Sequence, residues 1–146
     1  MRSEQNEIDD SFSKKKENYL RKELYDLIQK NHVIFDFLKV DITDGLWFWD
    51  LENPENEWVN NKFWYVLGYD QNDKPNKHDT WKNSIFKEDL KKFYKNFTTH
   101  FKEPSKPFDQ IIRAKHKLGH TIWMQCRGII LRDHKGKPLR MLGVHN

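Results

Sequence analysis

From Lys14 to Val40 the apolar residues return every three or four positions. Leu20, Leu24, Leu27, Asn31, Ile34 and Leu38 follow one another at spacings of 4, 3, 4, 3 and 4. That rhythm predicts a helix over 14–40 with one apolar seam. Asn31 interrupts the seam where, in a parallel two-stranded coil, a buried Asn pairs with its symmetry mate and fixes register. Two arrangements satisfy the pattern. Either the seam joins two copies of the chain as a coiled-coil dimerisation helix, or the helix lies on its own domain with Asn31 at the border of the buried stripe. Residues 1–13 are polar and without periodicity, so a disordered N-terminus is expected there.

"DITDG" (Asp41–Gly45) should end that helix, because Asp and Thr favour caps and turns and Gly tolerates any backbone angle. The period then drops to two. "LWFWDL" reads as a strand with Trp47 and Trp49 on one face and Leu46, Phe48 and Asp50 on the other. "ENPEN" is a turn, "EWVN" a second short strand, and "NKFWYVLGY" one or two helical turns ending at Gly68. A polar loop, Asp70–Asp79, follows. "KEDLKKFYKNFTTHFK" (Lys87–Lys102) returns to helical spacing, with Leu90, Phe93, Tyr94, Phe97 and Phe101 on one stripe. "EPSKP" stops it. Three strand-like runs close the chain, "FDQIIRAKHK", "HTIWMQCRGIILR" and "PLRMLGVHN", joined by "LG" and "DHKGK", both suited to hairpins. The order predicts an α+β fold, an antiparallel sheet with helices gathered to one side.

At 146 residues the chain suits one domain with a short appendage. The 26 Lys and Arg against 22 Asp and Glu are spread along its length. A nucleic-acid footprint would gather the basic residues on one face, and the basic run "SKKKENYLRK" also holds Glu17 and is followed directly by Glu23, so no nucleic-acid partner is expected. The one cysteine forms no internal disulfide, which fits a reducing, cytoplasmic setting. No apolar run approaches the ~18 residues of a membrane span, and no membrane contact by this segment is expected. The aromatic content changes the picture most. Six Trp, five Tyr and ten Phe in so small a domain mean a core packed with rings or a pocket lined by them.

Several words stand out in a fixed order: "DGLWFWDLEN", then "EWVNNKFWYVLGYD" with Gly68–Tyr69, then "TWKNSIFKEDL" with Glu88, Asp89 and Leu90. After the helix come Arg113, the hairpin Gly119, Trp123, Arg132–Asp133, Gly136 and Gly143. This succession resembles a PAS domain of the type found in bacterial sensor kinases and beside diguanylate cyclases, over residues 44–146. The resemblance implies a five-stranded antiparallel sheet with helices on one face, plus the N-terminal amphipathic helix. It implies a sensory module, with a homodimer, a small-molecule ligand and the effector domain of a longer protein as expected partners. The alternative is a ligand-free structural domain for dimerisation and transmission. Two departures are visible: Lys87 stands where the family usually has proline, and the chain stops at "GVHN" where the family runs on into a linking helix. An excised piece of a larger signalling protein is therefore expected.

Strand alternation combined with that resemblance turns one set of residues toward the helices, where family members hold ligands. The pocket candidates are Trp47, Trp49, Trp64, Phe97, Ile112, Ala114, Met124, Cys126, Met141, Gly143 and His145. Trp123, Ile129, Leu131, Leu142 and Val144 fall on the outer face, which needs the Lys14–Val40 helix or a second subunit as cover. Cys126 reads as a buried packing residue. His145 has two readings: an inward imidazole that orients a ligand, or a wet residue on a frayed chain end. No cofactor is expected. The flavin-binding subgroup needs a reactive cysteine after the Gly-Tyr word, and "KHDTWKNSIF" has none, which excludes the adduct. Haem through His100 is disfavoured because that residue projects to the edge of the Phe93/Phe97/Phe101 stripe, half-exposed. His116 and His120 straddle a turn without Cys or carboxylate partners, so no metal site is expected. No nucleophile–base pair, phosphate-binding loop or paired carboxylates can be assembled, so catalysis is not expected. Any kinase or cyclase domain would lie outside this chain.

Overall fold

A computed structural model describes residues 19–38, 45–70 and 81–146. The expectations for residues 1–13, for the start of the N-terminal helix, for Asp41–Asp44 and for most of the polar loop lie outside the described residues. The elements run α1 (Tyr19–Lys30), α2 (His32–Phe37), β1 (Gly45–Asp50), β2 (Glu57–Val59), α3 (Asn61–Val66), α4 (Lys87–Lys102), β3 (Phe108–Lys115), β4 (Thr121–Arg132) and β5 (Pro138–His145). The strands form one antiparallel sheet in the order β2-β1-β5-β4-β3. The last strand to be made therefore sits at the centre, beside the first.

Each strand has two working faces. Trp47, Trp49, Ile112, Ala114, Met124, Cys126 and Met141 are buried in one apolar cluster with α3 and α4. Phe48, Trp58 and Leu142 are buried in a second cluster on the opposite face, under Leu20, Leu24 and Ile34. Alternation alone produces this division.

The N-terminal segment departs from the expected continuous helix. Asn31 is in extended conformation, with φ −121°, and its Oδ1 accepts from the Val33 and Ile34 amides at 3.0 and 3.3 Å. It is exposed and caps α2, satisfying amides that a helix start leaves orphaned. The seam is thus folded onto the chain's own sheet. Leu20, Leu24 and Ile34 are buried there, with Leu27 and Leu38 half-buried at the margin.

A polar cluster pins the start of α1. The Tyr19 hydroxyl donates to Asp50 Oδ2 at 2.6 Å, and Arg140 on β5 reaches Asp50 at 2.8 Å, Glu52 at 3.0 Å and Glu23 of α1 at 2.9 Å. Asp50 is only 1% exposed. Burial by itself would raise its pKa. The Tyr19 bond, the amides of Asn53 and Glu52 and the Arg140 charge outweigh it and hold the carboxyl below its ordinary value. Burial and the bond to Asp50 push the Tyr19 hydroxyl up to about 12.

The helices cover only part of the outer face. Leu142 and Val144 are buried and Ile129 and Leu131 half-buried, while Trp123 remains 67% exposed, which leaves a second subunit as the expected cover for it. It lies on the first half of β4, two strands from β1, with the Arg113 guanidinium over its ring at 5.8 Å.

The edge strand β3 is protected along its second half. Asp89, in the first turn of α4, accepts the Arg113 amide at 2.6 Å and its guanidinium at 2.9 Å, and Ser84 O accepts the Lys115 amide at 2.7 Å. The helix itself spans Lys87–Lys102, as the periodicity predicts. Phe101, expected on its apolar stripe, is instead exposed, with the Arg132 guanidinium 5.4 Å from its ring.

Replacing Asn31→Leu should remove a helix cap, lowering stability by about 1 kcal/mol in urea unfolding. Self-association measured by sedimentation should not tighten. Tighter association would restore the seam to an interhelical role.

Candidate functional site

The site is built from the inner face of β1 and β5. Trp47 pairs with Gly143 and Trp49 with Met141 across the two strands. A Cβ at position 143 would sit inside the Trp47 indole, so only glycine lets that ring lie flat on the strand. From there the rings continue. Trp47 lies 6.0 Å from Phe93 and 6.4 Å from Phe108, Trp49 lies 5.1 Å from Phe97, and Phe93 packs edge-on against Trp81 at 5.2 Å. Trp49 Nε1 donates to the Pro54 carbonyl at 2.8 Å, and Trp81 Nε1 to the buried Glu57 carboxylate at 2.5 Å. Tilted and edge-on aromatic contacts of this kind are a favourable way to pack rings together in a core.

The sequence candidates converge on this region. Trp47, Trp49, Trp64, Ile112, Ala114, Met124, Cys126 and Met141 belong to one buried cluster, Phe97 packs against it half-buried, and Gly143 and His145 are buried on the strand beside it. Burial pushes the Cys126 thiol well above its ordinary pKa, so it is a protonated packing group rather than a nucleophile.

Phe63, Phe93 and Phe108 are central to the chamber but were not among the candidates. For Phe108 a signal existed: it shares strand parity with Ile112 and Ala114. Phe63 sits on a single short helix, where six residues give too little periodicity to assign a face.

His145 is held firmly, which removes the frayed-end reading. It pairs with Gly45 on one side and Cys126 on the other, and Asn146 exchanges two backbone bonds with Gln125, at 2.6 and 3.0 Å. The imidazole is 6% exposed and lies between Phe63 at 4.9 Å and Trp47 at 5.9 Å. Among the described residues no group bonds to Nδ1 or Nε2. Burial lowers its pKa to about 3, so the ring is neutral at ordinary pH. One side of the residue borders a cleft of about 230 Å³ between α3 and the ends of β4 and β5.

His100 is not the half-exposed residue that its helical position suggested. It is 6% exposed, Nδ1–H donates to the Lys106 carbonyl at 2.6 Å, and Nε2 accepts from the Ile130 amide at 3.3 Å. The side chain reaches across to β4 because the chain turns back directly after α4. His116 and His120 stack at 4.1 Å across the β3–β4 turn, and no third His, Cys, Asp or Glu joins them among the described residues.

A five-stranded antiparallel sheet with its first and last strands adjacent, helices over an aromatic inner face and a strap on the outer face makes this an open-sheet α+β domain. The PAS-fold family profile matches residues 56–145, and the chain belongs to that family. No curated protein sequence matches it. Among solved structures it is similar to a sensory box histidine kinase/response regulator from Burkholderia thailandensis, at 24% identity over 77% of this chain and 82% of that one, with TM-score 0.61. It is also similar to the N-terminal domain of a diguanylate cyclase with a PAS/PAC sensor from Marinobacter aquaeolei (22% identity, 70% and 93% covered, TM-score 0.56). The light-state dimer of the fungal blue-light photoreceptor Vivid is similar at 14% identity, 73% and 79% covered, with TM-score 0.55. These likenesses establish the fold. The family is sensory rather than catalytic, and no described helix is long and apolar enough to cross a membrane.

Stability should fall as pH drops from about 6.5 toward 4.5. In that window the unfolded chain protonates position 145 while the folded one does not, at up to about 1.4 kcal/mol per pH unit. Asp50 and Asp89 add their own loss only below the ordinary carboxylate range, because their pKa values are lowered. Urea unfolding of His145→Phe at pH 7.0 and 4.5 should show a shallower loss than the parent. Equal slopes would mean that the imidazole protonates as readily in the folded protein.

Proposed function

We propose that this chain is the input and relay module of a larger signalling protein. A small ligand at the inner face would bias how α1 and α2 pack on the outer face, and an effector domain outside this chain would read that change. One observation carries the reading: β1 and β5 serve both clusters at once. Trp47, Met141 and His145 point inward, while Phe48 and Leu142 alternate with them and pack in the cluster under α1 and α2. A displacement of those strands therefore reaches both faces. A ligand with different affinity for two helix arrangements is sufficient for signalling.

Homodimerisation belongs to the same proposal. The exposed Trp123 and Ile111 on the uncovered half of the sheet support a second copy as a partner. The reading needs neither haem nor a flavin adduct. Both ring nitrogens of His100 are engaged by backbone groups, the Cys126 thiol is buried, and the Trp47 and Trp49 rings occupy the chamber. A cytoplasmic location is part of the proposal, supported by the unpaired Cys126.

The filled chamber also supports a second reading, a ligand-free domain that only pairs and transmits. Native mass spectrometry of the full chain separates the two. The expected spectrum is a dimer carrying a small added mass that is lost on denaturation. A bare dimer would favour the second reading, and a bare monomer would overturn both.

A further inference from the structure

Beside the ring-packed chamber, a cleft of about 230 Å³ opens at the end of the sheet. Its walls are Phe63, Val66, Ile122 and Met124, with the neutral His145 ring at its border and Lys62 at its mouth. The lining is mostly apolar, with Asn146 and Lys62 as its other polar members. Both imidazole nitrogens are buried, and among the described residues no donor or acceptor reaches them. A buried polar group without a partner is destabilising, because it has given up its bonds to water. The same group lowers the free energy of any guest that completes its bonding.

We propose that this cleft binds a compact, uncharged, largely apolar molecule bearing a single hydroxyl or N–H group, which His145 recognises by one hydrogen bond. This rests on the ligand-sensing reading above and specifies the place and chemistry of its input. Size follows from the volume. A dry apolar cavity of about 150 Å³ takes up benzene, so a ligand of roughly six to twelve non-hydrogen atoms fits here. Neutrality follows from the walls, because a charge seated among Phe63, Ile122 and Met124 would be desolvated without a counter-charge. Lys62 is exposed at the mouth and keeps its own charge in water. Polarity follows from His145. As a neutral ring it offers one acceptor and one donor, so a hydroxyl or N–H satisfies it where a hydrocarbon leaves it unpaired.

The connection to signalling is short. His145 packs on Trp47, and its neighbours along β5, Val144 and Leu142, are buried on the outer face. A guest that shifts the imidazole therefore acts on the strand that the helices cover.

Phenol and toluene are matched probes, alike in shape and differing in one hydroxyl. Titration of the full chain followed by NMR of the His145 ring nitrogens should show a shift with phenol and little with toluene. In His145→Phe the affinity for phenol relative to toluene should drop about tenfold, the worth of one neutral hydrogen bond. If that variant does not fold, the ring-nitrogen shift in the parent protein decides alone. An unmoved His145 resonance at saturating phenol would overturn the proposal. So would benzoate binding more tightly than phenol, since recognition would then belong to Lys62. Amide exchange across Tyr19–Phe37 separates this site from the relay. A phenol-dependent His145 shift with unchanged helix exchange upholds the site and overturns the relay. A relay driven by another input, with no phenol contact at His145, overturns the site alone.

Discussion

The contact between the Trp47 indole and the backbone of Gly143 sets the rest of the structure. The two residues are register partners on the central pair of strands, and the ring occupies the volume that any side chain at 143 would need. A slip of one residue would bring Leu142 or Val144 under the ring and turn the wrong set of side chains inward. With Trp47 flat on the strand, Phe93, Phe108 and His145 pack around its ring. A glycine and a tryptophan almost a hundred residues apart thus fix the register, the filling of the chamber and the seat of the buried imidazole.

The outer face depends on the same strands in a different way. Phe48 and Leu142 supply apolar area beneath α1 and α2, and the Asp50–Arg140 pair fixes where α1 begins. A buried ion pair adds little net stability over an apolar substitute, because desolvation offsets much of the attraction. What it supplies is geometry. Tyr19 and Glu23 bond to Asp50 and Arg140 only when α1 lies in one position along the sheet. The strap is located by polar contacts at one end and by Leu20, Leu24 and Ile34 along its length. Such a mixed attachment is suited to shifting as a unit when the central strands move.

Much of the fold was legible because simple periods survive folding. The bounds of α4, the inward set on β4 and β5 and the hairpin glycines at 119 and 136 all follow from spacing and backbone freedom. The readings that failed share one cause. Asn31 has the spacing of a seam residue but acts through a local bond to the next helix start. His100 has the projection of a half-exposed residue but meets β4 because the chain doubles back. Parity and projection specify a face. They do not specify what lies above it.

The sequence by itself determined the order of elements, the alternation that divides the sheet into two apolar faces, and the family words that place the chain among PAS folds. It left His145 with two readings, inward or wet at the chain end. Only the tertiary structure decided how the rings of the chamber pack, that the seam of α1 and α2 lies on this chain's own sheet, and that the buried His145 nitrogens have no partner among the described residues. The physical reason is range. Periodicity and capping are set by neighbours within a turn or two, whereas burial, packing and the bonding of a buried group depend on residues that only the completed sheet brings together.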